Sequence, residues 1–109
     1  MNLKWASQPV FAFILSVSLT ACASGLGHEN FKKIYQRQVG RNADDPNGYL
    51  MSYRENRIST KVLPNGNTEE QYRAGWGPGC SVYFEIDKAS RDIVGWRYEG
   101  TELDCVVVP

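Results

Sequence analysis

Cysteine placement constrains this chain more than any other feature. There are three cysteines, and the first, Cys22, closes a run of apolar and small residues. Residues 1–9 carry one side-chain cation, Lys4, and residues 10–19 (VFAFILSVSL) are apolar apart from two serines. Thr20, Ala21, Cys22, Ala23 and Ser24 follow. A charged start, an apolar middle and a small-residue end are the layout of a secretory signal. Ten residues make about 15 Å of helix against roughly 30 Å of hydrocarbon, so the run predicts export rather than a membrane span.

Leu19-Thr20-Ala21-Cys22 resembles the lipobox of bacterial lipoproteins. That resemblance implies a signal peptide of residues 1–21, cleaved before Cys22, and a diacylglycerol joined to the Cys22 thiol. Ala23 stands where an aspartate would imply inner-membrane retention. The resemblance therefore implies a lipid anchor in the inner leaflet of the outer membrane, with the protein on the periplasmic face. Ala21-Cys22-Ala23 also reads as an A-x-A site cut before Ser24, which gives plain secretion. Either route takes the chain out of the cytoplasm.

Cleavage before Cys22 leaves 88 of the 109 residues, and acylation of Cys22 leaves two thiols, Cys80 and Cys105. In an oxidising compartment an even pair predicts a disulfide. So small a domain buries a limited core, and a bridge closing this loop stabilises it by about 3.5 kcal/mol. A metal site or redox pair lacks its partners: there is no CxxC, and the single histidine, His28, lies on the segment next to the anchor. The whole chain has zero formal charge, and losing Lys4 leaves one net negative. Nothing in that balance favours nucleic acid as a partner.

Residues 22–29 read as a Gly- and Ser-bearing tether, and residues 30–109 as a single domain. Asn30 is the expected N-cap of a helix over residues 31–39, with Phe31, Ile34 and Tyr35 on one face and Gly40 as its stop. Residues 49–53 (YLMSY) suit a short strand. Residues 57–63 and 68–74 flank Pro64-Asn65-Gly66, a hairpin signal. With Leu63-Pro64-Asn65-Gly66 as a type I turn and a glycine bulge, Ile58 faces Tyr72, Lys61 faces Glu69 and Val62 faces Thr68. That register gathers apolar residues on one face, which a two-residue loop does not.

Residues 80–86 (CSVYFEI) alternate, with Cys80, Val82, Phe84 and Ile86 inward and Ser81, Tyr83 and Glu85 outward. Residues 93–99 (IVGWRYE) place Val94, Trp96 and Tyr98 on one face. If the two strands are antiparallel, a reversal over residues 100–104 brings Cys105 to Cys80. The expected fold is α+β: one short N-terminal helix packed on a small antiparallel β-meander, closed by one disulfide.

Lipobox, tether, helical start and Trp-bearing meander together resemble the SmpA/OmlA (BamE-like) outer-membrane lipoproteins. The closest local match runs from Val82-Tyr83-Phe84-Glu85-Ile86 to Ile93-Val94-Gly95-Trp96. The C-terminal stretch is also similar to small proteobacterial lipoproteins. The family implies a non-catalytic accessory to outer-membrane assembly or integrity. The chain departs from it in having one evident helix where two are usual, and an added cysteine pair.

Catalytic residues are not expected. His28 has no partner for a triad or a metal site, and Cys105 consumes Cys80 as a nucleophile. Glu69, Glu70, Glu85, Asp87, Glu99 and Asp104 read as solvated strand and turn positions rather than a glycosidase pair. Gly75-Trp76-Gly77-Pro78-Gly79 lacks the lysine and helix of a phosphate cradle, and residues 44–48 do not alternate their acids as a calcium loop does. No cofactor and no metal are expected. Trp76, Tyr83 and Arg97 are the candidate contacts for a partner. The expected role is docking to an envelope protein; the alternative is a periplasmic module that binds a glycan or an enzyme, as inhibitors do.

Overall fold

The computed structural model describes residues 26–76 and 78–107. Cys22, the signal segment and the start of the tether lie outside the described residues. Four strands form one antiparallel sheet in the order β1-β2-β3-β4. They are β1 Arg57–Val62, β2 Thr68–Arg73, β3 Ser81–Ile86 and β4 Ile93–Glu99. Short loops reverse the chain between successive strands, which is the expected meander.

Alternation in β3 builds the core. Val82, Phe84 and Ile86 are fully buried, and Cys80 lies buried just ahead of the strand. In β4 the inward set differs from the expectation. The register shifts so that Ile86 pairs with Ile93 and Glu85 with Gly95, leaving Val94 without a partner. This bulge turns both Ile93 and Trp96 inward, three residues apart, and leaves Val94 exposed.

The β1–β2 hairpin keeps its expected turn. The Gly66 N–H donates to the Leu63 carbonyl at 2.9 Å, and Gly66 takes φ +90°. Val62 pairs with Thr68 and Lys61 with Glu69, as the turn predicts. Beyond them a second bulge, between Arg57 and Ser59, sets Arg57 rather than Ile58 opposite Tyr72. The apolar face expected of this hairpin is not formed, since every residue of β1 is exposed, Ile58 and Val62 included. β1 is the outer edge, beyond the reach of the helical layer. Arg57, Lys61 and the bulge discourage another strand from adding there.

A helix, α1, is described over Leu26–Gln36. Helix therefore covers residues 26–29, which the sequence assigns to the tether, and Asn30 lies within it rather than capping it. Contacts from elsewhere in the chain hold residues 27–28. The Val107 N–H donates to the Gly27 carbonyl at 3.2 Å, and His28 Nδ1 lies 2.8 Å from the Cys105 carbonyl. No local residue pattern encodes such contacts. Phe31 and Tyr35, one turn apart, meet with tilted rings 4.7 Å between centroids and are both buried. Their rings meet Phe84, Trp96 and Tyr98 of the sheet.

Residues 49–53 are not a strand. Tyr49–Ser52 forms one helical turn, α2, closed by the Tyr53 N–H donating to the Tyr49 carbonyl at 2.9 Å. Five residues rich in aromatics do not distinguish helix from strand by period. Packing decides, because Tyr49 fits among Tyr35, Tyr72 and Phe84 while Leu50 is buried. The chain between the two helices then pairs with the start of β4: the Ile93 N–H donates to the Arg41 carbonyl, and the Gly40 N–H to the Ile93 carbonyl, both at 2.8 Å.

The Cys80–Cys105 disulfide forms as expected, with the two Cα atoms 5.3 Å apart. Around it the backbone approaches too closely for side chains. A Cβ on Gly75, at φ +74°, would lie 2.2 Å from the Asp104 carbonyl oxygen, and one on Gly100, at φ +137°, 2.8 Å from the Cys105 sulfur. Gly95 in β4 has open space instead. Gly75→Ala is expected to cost more than about 1 kcal/mol in urea denaturation, and Gly95→Ala to stay within about 0.5 kcal/mol of wild type. Equal effects would contradict the packing described. Replacing both Cys80 and Cys105 by alanine is expected to remove about 3.5 kcal/mol, read from the same curves.

Candidate functional site

The three candidate contacts do not form one surface. Tyr83 and Arg97 are register partners on β3 and β4. They lie on the outer face, opposite the side taken by Phe84 and Trp96. Trp76 lies in the β2–β3 loop on the helical side, 72% exposed.

On the outer face the Arg97 guanidinium sits 3.7 Å above the centre of the Tyr83 ring, a cation–π contact. It also grips Glu69 with two donors, at 3.0 and 3.3 Å, and approaches Glu99 at 3.7 Å. The Tyr83 hydroxyl donates to Glu99. Glu99 beside that hydroxyl holds its proton above the ordinary phenol range, and Glu69 does the same for the guanidinium. Beside this group, Ser59 donates to Gln71 at 2.9 Å and Gln71 donates to Ser81 at 3.1 Å. The result is a polar patch whose long side chains are already held in place. Among the described residues nothing packs over it.

Trp76 borders a cleft of about 400 Å³ on the other side. Tyr35, Tyr49, Tyr53, Arg73 and Val107 also line it. Tyr35 and Tyr49 share a hydroxyl hydrogen bond of 3.0 Å, and burial pushes both phenols upward. Both rings stay neutral, so the cleft is an aromatic wall with one cation at its edge. A second, open groove of about 530 Å³ runs beside Trp96 with Lys32, Lys33 and Arg37 along it. The Trp96 indole N–H is already used by Gln36 at 2.8 Å.

Two residues are placed quite differently from their sequence reading. Glu70 is not on a solvated face. It is 6% exposed, accepts from the Tyr72 hydroxyl at 2.6 Å and lies 3.5 Å from Arg57. Burial, reinforced by Glu70, pushes the Tyr72 phenol upward, so Tyr72 remains the donor. His28 is not remote from the cysteine pair. A carbonyl only accepts, so Nδ1 carries a proton toward Cys105, while Nε2 meets the Tyr98 hydroxyl at 3.2 Å. The two ring nitrogens hold α1 to Cys105 on one side and to Tyr98 of β4 on the other. Sequence spacing carries no signal for either placement.

Among the described residues, no three of His, Cys, Asp or Glu lie close enough to hold a metal ion. Nor is any described helix long and apolar enough to cross a membrane. No family model, no curated protein and no solved structure matches this chain.

Several carboxyls are held below the ordinary carboxylate range. Donors on Ser90 and Ala89 do this for Asp87, Arg91 for Asp44, and the amides of Asn67 and Asn65 for Glu85. A folded-state pKa below the unfolded value stabilises the fold above the unfolded pKa, and the contribution is lost as pH falls through the folded value. The urea midpoint is therefore expected to hold from neutral pH to about 5 and to drop below about pH 4. Asp87→Ala is expected to shallow that drop; an unchanged acid slope in the variant would contradict the assignment.

Proposed function

We propose that this chain is a lipid-anchored, non-catalytic envelope protein that docks a protein partner on the open face of its sheet. The observation that carries the reading is the Tyr83–Arg97 group on β3 and β4, held by Glu69 and Glu99 on a face that no described residue covers. Tyrosine and arginine are the residue types that dominate binding energy at interfaces. Their geometry is set before contact, so a partner does not have to order them. The disulfide supports the reading as well, because it belongs to an oxidising compartment.

In this reading residues 1–21 are removed, Cys22 carries the lipid, and a short N-terminal helix starts close behind it. The resemblance to SmpA/OmlA (BamE-like) lipoproteins suits an accessory of outer-membrane assembly or integrity, with another envelope protein as partner. No cofactor, metal or nucleic acid enters. A second reading, a periplasmic glycan-binding module, draws on the cleft of Tyr49, Tyr53, Trp76 and Arg73, whose rings and cation suit a sugar chain.

Labelled palmitate is expected to enter the wild-type protein and not a Cys22→Ser variant, and globomycin is expected to block processing. Cross-linking in intact cells is expected to recover one stoichiometric membrane-protein partner. The Tyr83→Ala/Arg97→Ala variant should lose that partner by roughly tenfold or more while keeping its circular dichroism. Recovery of glycan fragments alone, unaffected by the double variant, selects the second reading.

A further inference from the structure

Residues that belong to neither core nor sheet converge on one end of the domain. Gly27 of α1 touches the C-terminal segment there: the Val107 N–H donates to the Gly27 carbonyl, and a Cβ on Gly27 would lie 3.2 Å from Val106. The same segment holds Trp76, whose N–H donates to the Asp104 carbonyl at 3.0 Å. Leu103, next to Asp104, is 86% exposed. Among the described residues three large apolar side chains are more than 70% exposed: Val62, Trp76 and Leu103. Val62 sits alone at the opposite end of the sheet, as single surface apolar residues often do. Trp76 and Leu103 are joined through one backbone contact, at the end where the chain enters the domain.

Cys22 precedes Leu26 by four residues. Even fully extended, four residues span no more than about 14 Å. A lipid on Cys22 therefore keeps this end of the domain within that distance of the lipid headgroups. From these facts we infer that Trp76 and Leu103 enter the bilayer interface beside the anchor and seat the domain on its disulfide-closed end. Tryptophan suits that depth, because its ring is apolar while its N–H stays in reach of water and headgroups. Arg73 and Glu102, both exposed, border the end with opposite charges, so a zwitterionic surface suffices. The acyl chains supply the affinity, and the two side chains set the orientation.

The inference rests on the lipid anchor proposed above, and its test separates the two. The full chain, expressed in a bacterial envelope and purified, is weighed intact to establish acylation. It is then placed in phosphatidylcholine vesicles with or without nitroxide-labelled phosphatidylcholine. Lipid-borne nitroxide should quench a large part of the tryptophan emission. Trp76→Phe should lose that quenching, and Leu103→Ser should weaken it. Both positions are exposed, so both variants should keep the wild-type urea midpoint. If the acylated protein is quenched by aqueous iodide but not by the labelled lipid, the seating is wrong and the anchor stands. If the mass shows no acyl chain, anchor and seating fall together. If peptidoglycan fragments shield Trp76 from iodide and vesicles do not, the residue belongs to the glycan reading and the seating is wrong.

Discussion

The Cys80–Cys105 bond positions more than the two strands it closes. Cys105 offers its carbonyl to His28, and its N–H donates to the Thr101 carbonyl at 2.9 Å. Those bonds hold residues 27–28 of α1 and close residues 101–105 into a turn after β4. Asp104, next to Cys105, receives the N–H of Trp76 and crowds Gly75 and Gly79. Free of the bond, the C-terminal segment would have a few backbone contacts to set against the entropy of ordering it, at about 1–2 kcal/mol per residue. The covalent closure tips that balance. Residues 27–28 of α1, the C-terminal segment and the loop carrying Trp76 are placed together for this reason.

From that closed end the two faces of the sheet diverge. The inner face is a continuous aromatic layer in which Phe84 meets Tyr35, Tyr49 and Tyr72, while Trp96 and Tyr98 meet Phe31. One buried carboxylate, Glu70, interrupts it and is accommodated by a phenol and a guanidinium. The outer face is polar at its centre: Arg97 is shared between Glu69 and Glu99, and Glu85 accepts from the amides of Asn65 and Asn67. This contrast separates the candidate contacts: β-strand alternation sends Tyr83 and Arg97 outward, while the loop carrying Trp76 follows the disulfide to the helical side.

Strong local periods were legible in the sequence. The alternation of residues 80–86, the Leu63-Pro64-Asn65-Gly66 turn and the cysteine pairing each follow from a rule acting over a few residues, and all three stand in the structure. What could not be read depends on distant partners. The helical turn at Tyr49 exists because Tyr35, Tyr72 and Phe84 leave a space for its ring. The bulges beside Ile58 and at Val94 reflect how far the helical layer extends over the sheet. His28 looked like part of a tether because its two partners, Cys105 and Tyr98, lie 77 and 70 residues away. Glu70 looked solvated because alternating charge is the ordinary signature of an open face, and its shelter comes from Tyr72 and Arg57.

Seating and docking constrain each other through the register of the sheet. Ser81 pairs with Glu99 at the closed end, and Tyr83 pairs with Arg97 two residues further along. At about 3.4 Å per residue, the Tyr83–Arg97 group stands about 7 Å from that end of the sheet. With the closed end on the lipid, a partner reaching Tyr83 and Arg97 must itself come to within a few ångströms of the headgroups. A freely diffusing periplasmic protein has little reason to bind there, since the bilayer blocks part of its approach. A protein embedded in the same membrane presents its surface at that height already. Anchoring both partners in one leaflet also raises their effective concentration, so a modest polar patch suffices where free partners would need a larger apolar one. The patch described here is modest and polar, which is the kind of contact such an arrangement requires.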